Sequence, residues 1–371
     1  MKNVFVVIGT RPDAIKMAPL IKELRMRDGV DCRVICCGQH KEILADVLEE
    51  RGIVPNISFS VMREGQSLAS LTERLISCMR KTLEGTQVSL IAVHGDTTTA
   101  LCSALVAFSL GIPIAHVEAG LRSGDLMRPY PEEMNRRAIA LLASLHFAPS
   151  VSSAENLYRE GIEKSRVFIT GNTVYDALIE SLDDNFSHPI LDWVADRRFA
   201  LLTAHRRENK ANLLDILLGV RDALSELDIP AVFPVHPSKE TKDAAEKVFA
   251  SYNGVYLSPP LAPYEFQNLL ARCYVAITDS GGVQEEAPAL SKPVLVLRDK
   301  TERIDELASG ALILGGTSRE SVRASLVSLL SDGAAYQRAA NAKSRADIGA
   351  ACRIADIICD FLKPPRAQAF R

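Results

Sequence analysis

The chain alternates short β-branched apolar runs with segments of helical spacing along its whole length, and few architectures accept that pattern. The first series of runs is Val4–Ile8, Cys32–Cys37, Ser89–Val93, Pro113–Val117 and Arg166–Ile169. A second series follows at Phe199–Thr203, Ala231–Pro234, Gly254–Leu257, Tyr274–Thr278 and Pro293–Leu297. The runs are apolar at consecutive rather than alternate positions, as in strands covered on both faces. Helix-length stretches separate them; Pro12 suits the first turn of one such helix. Strands alternating with helices in this way imply α/β architecture with parallel sheets sandwiched by helices.

At roughly 150 residues per domain, a chain of 371 residues holds about two. The series break at 183–197, DDNFSHPILDWVADR, which carries Pro189, clustered charges and Trp193. The sequence therefore predicts a first domain over 1–182, a linker over 183–197 and a second domain from 198. Both are expected to be doubly wound and to face each other across a cleft. Ligands of such sheets lie beyond the carboxyl ends of the strands.

Several function classes drop out. Lys plus Arg number 43 against 46 Asp plus Glu, a net charge of −3, so no basic excess exists to hold nucleic acid. The most apolar stretch, Ala138 to Ala148, is shorter than the ~20 residues of a spanning helix and contains Ser144 and His146. The run Val4–Ile8 stops at Gly9–Thr10–Arg11–Pro12, so it reads as a buried strand and not a secretory leader. The eight cysteines form no C-x-x-C pair and sit mostly among apolar residues, which predicts reduced thiols in the cytoplasm and no zinc site. No G-x-G-x-x-G, no Tyr-x-x-x-Lys, no G-x-x-x-x-G-K-[ST] and no H-E-x-x-H occurs. Hydride chemistry, kinase-type nucleotide use and zinc hydrolysis lose support.

The polar residues gather just after the predicted strands. Gly9 to Leu20, GTRPDAIKMAPL, puts Arg11 at a helix N-terminus, which favours anions, with Lys16 about a turn later. Val93 to Ala100, VHGDTTTA, puts Asp96 at a strand tip, where it reads equally well as a helix cap. Glu118 directly follows an apolar strand and is expected to be partly buried, which is costly for a carboxylate without a role. Downstream of it come Arg122, Asp125, Arg128, Glu132, Glu133, Arg136 and Arg137. In the second half, His205 in TAHRREN is a candidate acid, base or phosphate donor. Arg206 and Arg207 beside it can fork onto phosphate. His236 in PVHPS reads as a packed loop histidine. Thr278 to Leu290, TDSGGVQEEAPAL, ends a strand in Ser280, Gly281 and Gly282 and opens a helix, an arrangement that lets backbone N–H groups meet a phosphate. Glu286, further along that helix, can accept from ribose hydroxyls.

Taken together, GTRPDAIKMAPL, GQHKEIL, VHGDTTTA, HVEAGLRSGDL with PEEMNR, TGNTVYDAL, HRREN, PVHP, TDSGGVQEEAPAL and RDKTER resemble the bacterial non-hydrolysing UDP-N-acetylglucosamine 2-epimerases. The motifs run in family order from Gly9 to Arg303, nearly the whole chain. The resemblance implies a glycosyltransferase B-type fold of two Rossmann-like domains. The second would span 198–347, and a C-terminal helix within 348–371 would return to the first. It implies interconversion of UDP-N-acetylglucosamine and UDP-N-acetylmannosamine without cofactor or metal, in a cytoplasmic homodimer serving polysaccharide synthesis.

The hydrogen on carbon 2 of the sugar is not acidic. The family eliminates UDP across carbons 1 and 2 to give 2-acetamidoglucal, then adds UDP back with carbon 2 inverted. That demands a base and an acid at carbon 2, and cations for the departing diphosphate. By motif, the resemblance assigns proton transfer to Asp96, Glu118 and Glu132, with His205 near the diphosphate. It assigns substrate binding to Arg11, Lys16, Ser280, Gly281, Gly282 and Glu286. A second UDP-N-acetylglucosamine, as activator, would touch Gln39, Glu42, Arg74, Glu132, Arg206 and His236. Some activated members have Gln where Glu42 stands, and Ala204 and Ile304 depart from the family's usual Gly and Pro. Competing readings are a 2-epimerase of a diacetamido uronic acid, a hydrolysing epimerase, a glycosyltransferase on the same fold and a non-catalytic UDP-sugar sensor. Thr10 and Ala14 favour the N-acetylglucosamine enzyme.

Overall fold

The runs of consecutive apolar residues become the central strands of two parallel sheets in a computed structural model of the chain. It describes residues 1–38, 48–49, 51–61, 65–127, 129–204, 206, 209–301, 303–342 and 348–363. The chain divides into two units, Met1–Ala177 with Asp347–Arg371, and Leu178–Ala346.

Among the described residues, the first unit holds strands β1 (Lys2–Ile8), β2 (Val30–Cys36), β3 (Ile57–Ser58), β4 (Leu90–His94), β5 (Ile114–Val117), β6 (Leu145–Ala148) and β7 (Val167–Ile169). They form one sheet in the order β3-β2-β1-β4-β5-β6-β7. Val4, Phe5, Val6 and Ile8 of β1 are fully buried, because helices cover both faces of the sheet. The strand order reverses between β1 and β4, which sets their carboxyl ends side by side at a switch point.

The helix Arg11–Arg25 starts there. Thr10 and Asp13 cap it reciprocally, with Pro12 in its first turn. Its inner face, with Met17, Leu20, Ile21 and Leu24, shares a core with Ala351, Ile354, Ala355 and Ile358 of the helix Ala350–Leu362. Burying Ile354 and Ile358 contributes about 1.5–3 kcal/mol each. Asp176 caps this last helix by accepting the N–H of Gly349 at 2.5 Å and of Ala351 at 2.8 Å.

The second unit repeats the plan with β8 (Ala200–Thr203), β9 (Ala231–Pro234), β10 (Val255–Ser258), β11 (Val275–Thr278), β12 (Val294–Val296) and β13 (Leu312–Leu314). Their order is β10-β9-β8-β11-β12-β13, with the switch point between β8 and β11. The stretch 183–197, expected as a linker, carries the helix Pro189–Val194. Ile190 and Val194 lie in the core of the second unit, and Trp193 packs on Tyr256 at 5.4 Å between ring centroids. Charge clustering and a lone tryptophan there mark a packed surface helix.

Strands β3, β6 and β13 were not expected from the sequence. The run Ala138–Ala148 reads as one segment, yet the helix Glu132–Leu142 stops before β6 with neither Gly nor Pro to mark the break. All eight cysteines are free thiols, and among the described residues no helix is long and apolar enough to cross a membrane.

Candidate active site

In the first unit, the loops after β1, β4 and β5 bring acidic and basic side chains together. Glu118 follows β5 directly and adopts φ of 61°, a left-handed conformation that costs a non-glycine residue about 1–3 kcal/mol. Its Oε2 receives the Lys16 ammonium at 2.5 Å and the Asn172 side-chain amide at 3.1 Å. Nε2 of His94, the last residue of β4, lies 3.7 Å from the same oxygen. Burial alone would raise the pKa of Glu118, but Lys16 and then His94 outweigh it and hold the carboxyl well below its usual range.

Asp96 lies two residues beyond β4. Arg136 pairs with its carboxylate, and Asn135 donates its amide to the Asp96 carbonyl at 2.7 Å. Burial raises the Asp96 pKa; Arg136 opposes the rise, and Glu118 and Glu132 add to it. The helix cap at this turn is Thr97, which accepts the N–H of Ala100 at 3.1 Å, so Asp96 is left for other work. Asp96 and Glu132 line one cavity of about 230 Å³ together with Gly9, Thr10, Thr97 and Asn135. Gly9 is required here: a Cβ at this position would stand 2.6 Å from Cβ of Thr99. Neighbouring Glu133 is fully buried and structural, bonded by the Ser123 N–H at 3.0 Å and the Arg137 guanidinium at 3.2 Å.

In the second unit, Ser280 is the N-cap of the helix Gly281–Ala289, but its hydroxyl makes no cap bond, so the helix N-terminus stays open. A Cβ on Gly281 would lie 3.0 Å from Nη2 of Arg303 and 3.3 Å from Nη2 of Arg206. Two guanidinium groups thus converge at a helix N-terminus, a strong anion-binding arrangement. Arg303 is held by Glu285 at 2.7 Å. A second cavity, of about 250 Å³, is lined by Pro260, Leu261, Phe266 and Val283 with His236 and Ser280.

The structure thus gathers Lys16, Asp96, Glu118 and Glu132 at neighbouring strand ends of the first unit. Arg11 opens the adjoining helix and is exposed. Arg206, His236, Ser280, Gly281 and Gly282 gather in the second, with half-buried Glu286 further along the same helix. Arg74 is committed to its own surroundings: it donates to the Val61 carbonyl at 2.8 Å and the Ser70 hydroxyl at 3.0 Å, and bonds Gln66. Gln39, Glu42, Arg128, His205 and Arg207 lie outside the described residues. Sequence reasoning did not single out Asp13, His94, Asn172, Asp279 or Arg303. All five lie inside the quoted motifs, so the signal was present, but no single-residue argument separates them from ordinary cap, strand-end and loop residues.

Residues 22–359 match the family described as UDP-N-acetylglucosamine 2-epimerase. The UDP-N-acetylglucosamine 2-epimerase of Bacillus subtilis (strain 168) is 41% identical over 353 residues, covering 95% of this chain and 93% of its own. A crystal structure of a UDP-N-acetylglucosamine 2-epimerase superposes with a TM-score of 0.91 at 38% identity over 100% of both chains. The Neisseria meningitidis UDP-GlcNAc 2-epimerase, solved bound to UDP-GlcNAc, superposes with a TM-score of 0.81 at 36% identity, covering 97% of this chain and 99% of its own.

Proposed function

The chain belongs to the UDP-N-acetylglucosamine 2-epimerase family, with its two Rossmann-like units of glycosyltransferase B type, and from that premise we propose how its residues carry the reaction. It is an isomerase that inverts carbon 2 of UDP-N-acetylglucosamine. The bond from carbon 1 to the diphosphate oxygen breaks as the proton leaves carbon 2, and a double bond forms between the two carbons. UDP then adds back at carbon 1, and a proton returns to carbon 2 on the opposite face.

The observation that carries this reading is the pairing of Asp96 and Glu132 on one cavity beside the ionised Glu118. A carboxyl whose pKa is raised is the better proton carrier, so Asp96 moves the proton at carbon 2. Glu118, firmly ionised, stabilises positive charge developing at the sugar as the diphosphate departs, and Glu132 serves the opposite proton transfer. Arg11 and Lys16 supply positive charge.

Gly281 and Gly282, at the open helix N-terminus with Ser280, receive the diphosphate together with Arg206 and Arg303. The apolar second cavity accommodates the uracil ring, with Glu286 at the ribose. The family resemblance is the support for His205 near the diphosphate, for a homodimer in the cytoplasm, and for a second UDP-N-acetylglucosamine acting as activator.

Proton NMR of the protein with UDP-N-acetylglucosamine in heavy water tests the reaction. The expected product is the manno epimer carrying deuterium at carbon 2, with UDP retained on the sugar. Free UDP with free N-acetylmannosamine overturns the non-hydrolysing reading.

A further inference from the structure

Behind Glu118 lies a buried charge array with two members that the reaction just described leaves unused. Asp13 and His94 each have side chains 5% exposed. One oxygen of Asp13 accepts the N–H of Thr10 at 3.0 Å and of Gly9 at 3.3 Å. Its other oxygen meets Nδ1 of His94 at 3.0 Å. The second ring nitrogen, Nε2, has no hydrogen-bond partner among the described residues and lies 3.7 Å from Oε2 of Glu118. Carboxylate oxygens therefore face both ring nitrogens. A neutral imidazole would turn a lone pair on one of them, whereas an imidazolium presents a donor to each. Lys16 and Asn172 converge on the same Oε2, while Oε1 accepts no bond among the described residues.

We propose that Asp13 and His94 are positioning residues for Glu118. Asp13 fixes the ring, and the imidazolium joins Lys16 and Asn172 in holding Oε2, so that Oε1 alone faces the reacting sugar. Because Asp13 also ties down the Thr10 turn, the same carboxylate links the start of the anion-favouring helix to the charge-stabilising Glu118. Asp13 and Lys16 face His94 from the helix Arg11–Arg25, His116 from β5, Glu118 from just beyond it, and Asp96 from the loop after β4. Burial opposes charge on the ring, but Glu118 and then Asp13 outweigh it and carry the His94 pKa up to about 9, against Lys16. This inference rests on the reading that Glu118 works at the sugar.

The test compares kcat and KM against pH for epimerisation by the wild-type enzyme, H94Q, D13N and D13E. H94Q is expected to lower kcat roughly tenfold or more with KM nearly unchanged. D13N is expected to bring the alkaline limb of kcat down by about one pH unit, and D13E to restore it. A folded H94Q with wild-type kcat, or with only KM altered, overturns the proposal. Should H94Q fail to fold, ¹⁵N NMR of the wild-type histidines decides. A His94 ring doubly protonated up to about pH 9 supports the array, and a neutral ring at neutral pH overturns it. A wild-type enzyme that shows no exchange at carbon 2 defeats the functional reading, and the imidazole measurement then still tests the array.

Discussion

The carboxylate of Asp279, fully buried at the end of β11, accepts the backbone N–H of Arg206 at 2.9 Å from the loop after β8. The Asn209 amide donates to the same carboxylate oxygen at 3.1 Å and to the Leu297 carbonyl at 2.9 Å. One side chain thus ties together the strand ends that carry Arg206 and Ser280. Asp279→Ala leaves the Arg206 N–H and one bond of the Asn209 amide unmade. The expected cost is about 1–3 kcal/mol of stability, with UDP affinity lowered because Arg206 loses its anchor. Thermal melting with UDP calorimetry checks both; an unchanged affinity would separate this tie from the nucleotide site.

Asp96→Asn keeps an oxygen for Arg136 but removes the titrating group. The expected result is a loss of turnover of about a hundredfold or more, with UDP binding close to wild type. Single-turnover kinetics and UDP titration measure the two separately. Loss of both together points to misfolding and not to a missing proton carrier.

At Gly281 the question is space. An added methyl group displaces the Arg303 and Arg206 guanidinium groups, which are flexible ends, but Arg303 is held by Glu285. Gly281→Ala is expected to lower UDP affinity about tenfold while changing stability by less than about 1 kcal/mol. Calorimetric titration of UDP reads the first and chemical denaturation the second. Wild-type affinity would remove the diphosphate from this helix end.

Stability should also depend on pH through two buried histidines. His116 and His146 are neighbours in the register of β5 and β6. Burial pushes their pKa values down to about 3 and about 4. The unfolded chain therefore binds protons more readily than the folded one below the ordinary histidine value of about 6.5. The stability of the neutral rings is complete above that value and is lost as pH falls toward 4 and then 3. His94, with its pKa raised, acts oppositely: its contribution is complete below 6.5 and is lost as pH rises through about 9. His146→Leu is expected to flatten the decline in Tm between pH 6.5 and pH 4. An unaltered slope would show that His146 is not the group being protonated.

Much of the candidate site is legible in the chain because it lies where strands end. Glu118 follows an apolar run, and Gly281–Gly282 open a helix; both are local signals. Asp13 and His94 gave none. Asp13 reads as a residue of the first helical turn and His94 as the last position of a strand, and each is ordinary in that place. The Asp13–His94 contact spans 81 positions of the chain and the Lys16–Glu118 contact 102. The order β1-β4-β5 makes them neighbours, and no local pattern encodes that order.

The sequence by itself determined two parallel α/β units and the strand ends at which the candidate site's polar residues gather, because apolar runs and turn residues report local burial directly. The tertiary structure alone decided that 183–197 packs as part of the second unit. It alone decided that Arg303 joins Arg206 at a helix N-terminus, and that Lys16 and His94 hold the Glu118 carboxyl well below its usual pKa range. Charge state and pairing depend on distances across the fold, and those distances exist only once the sheets are assembled.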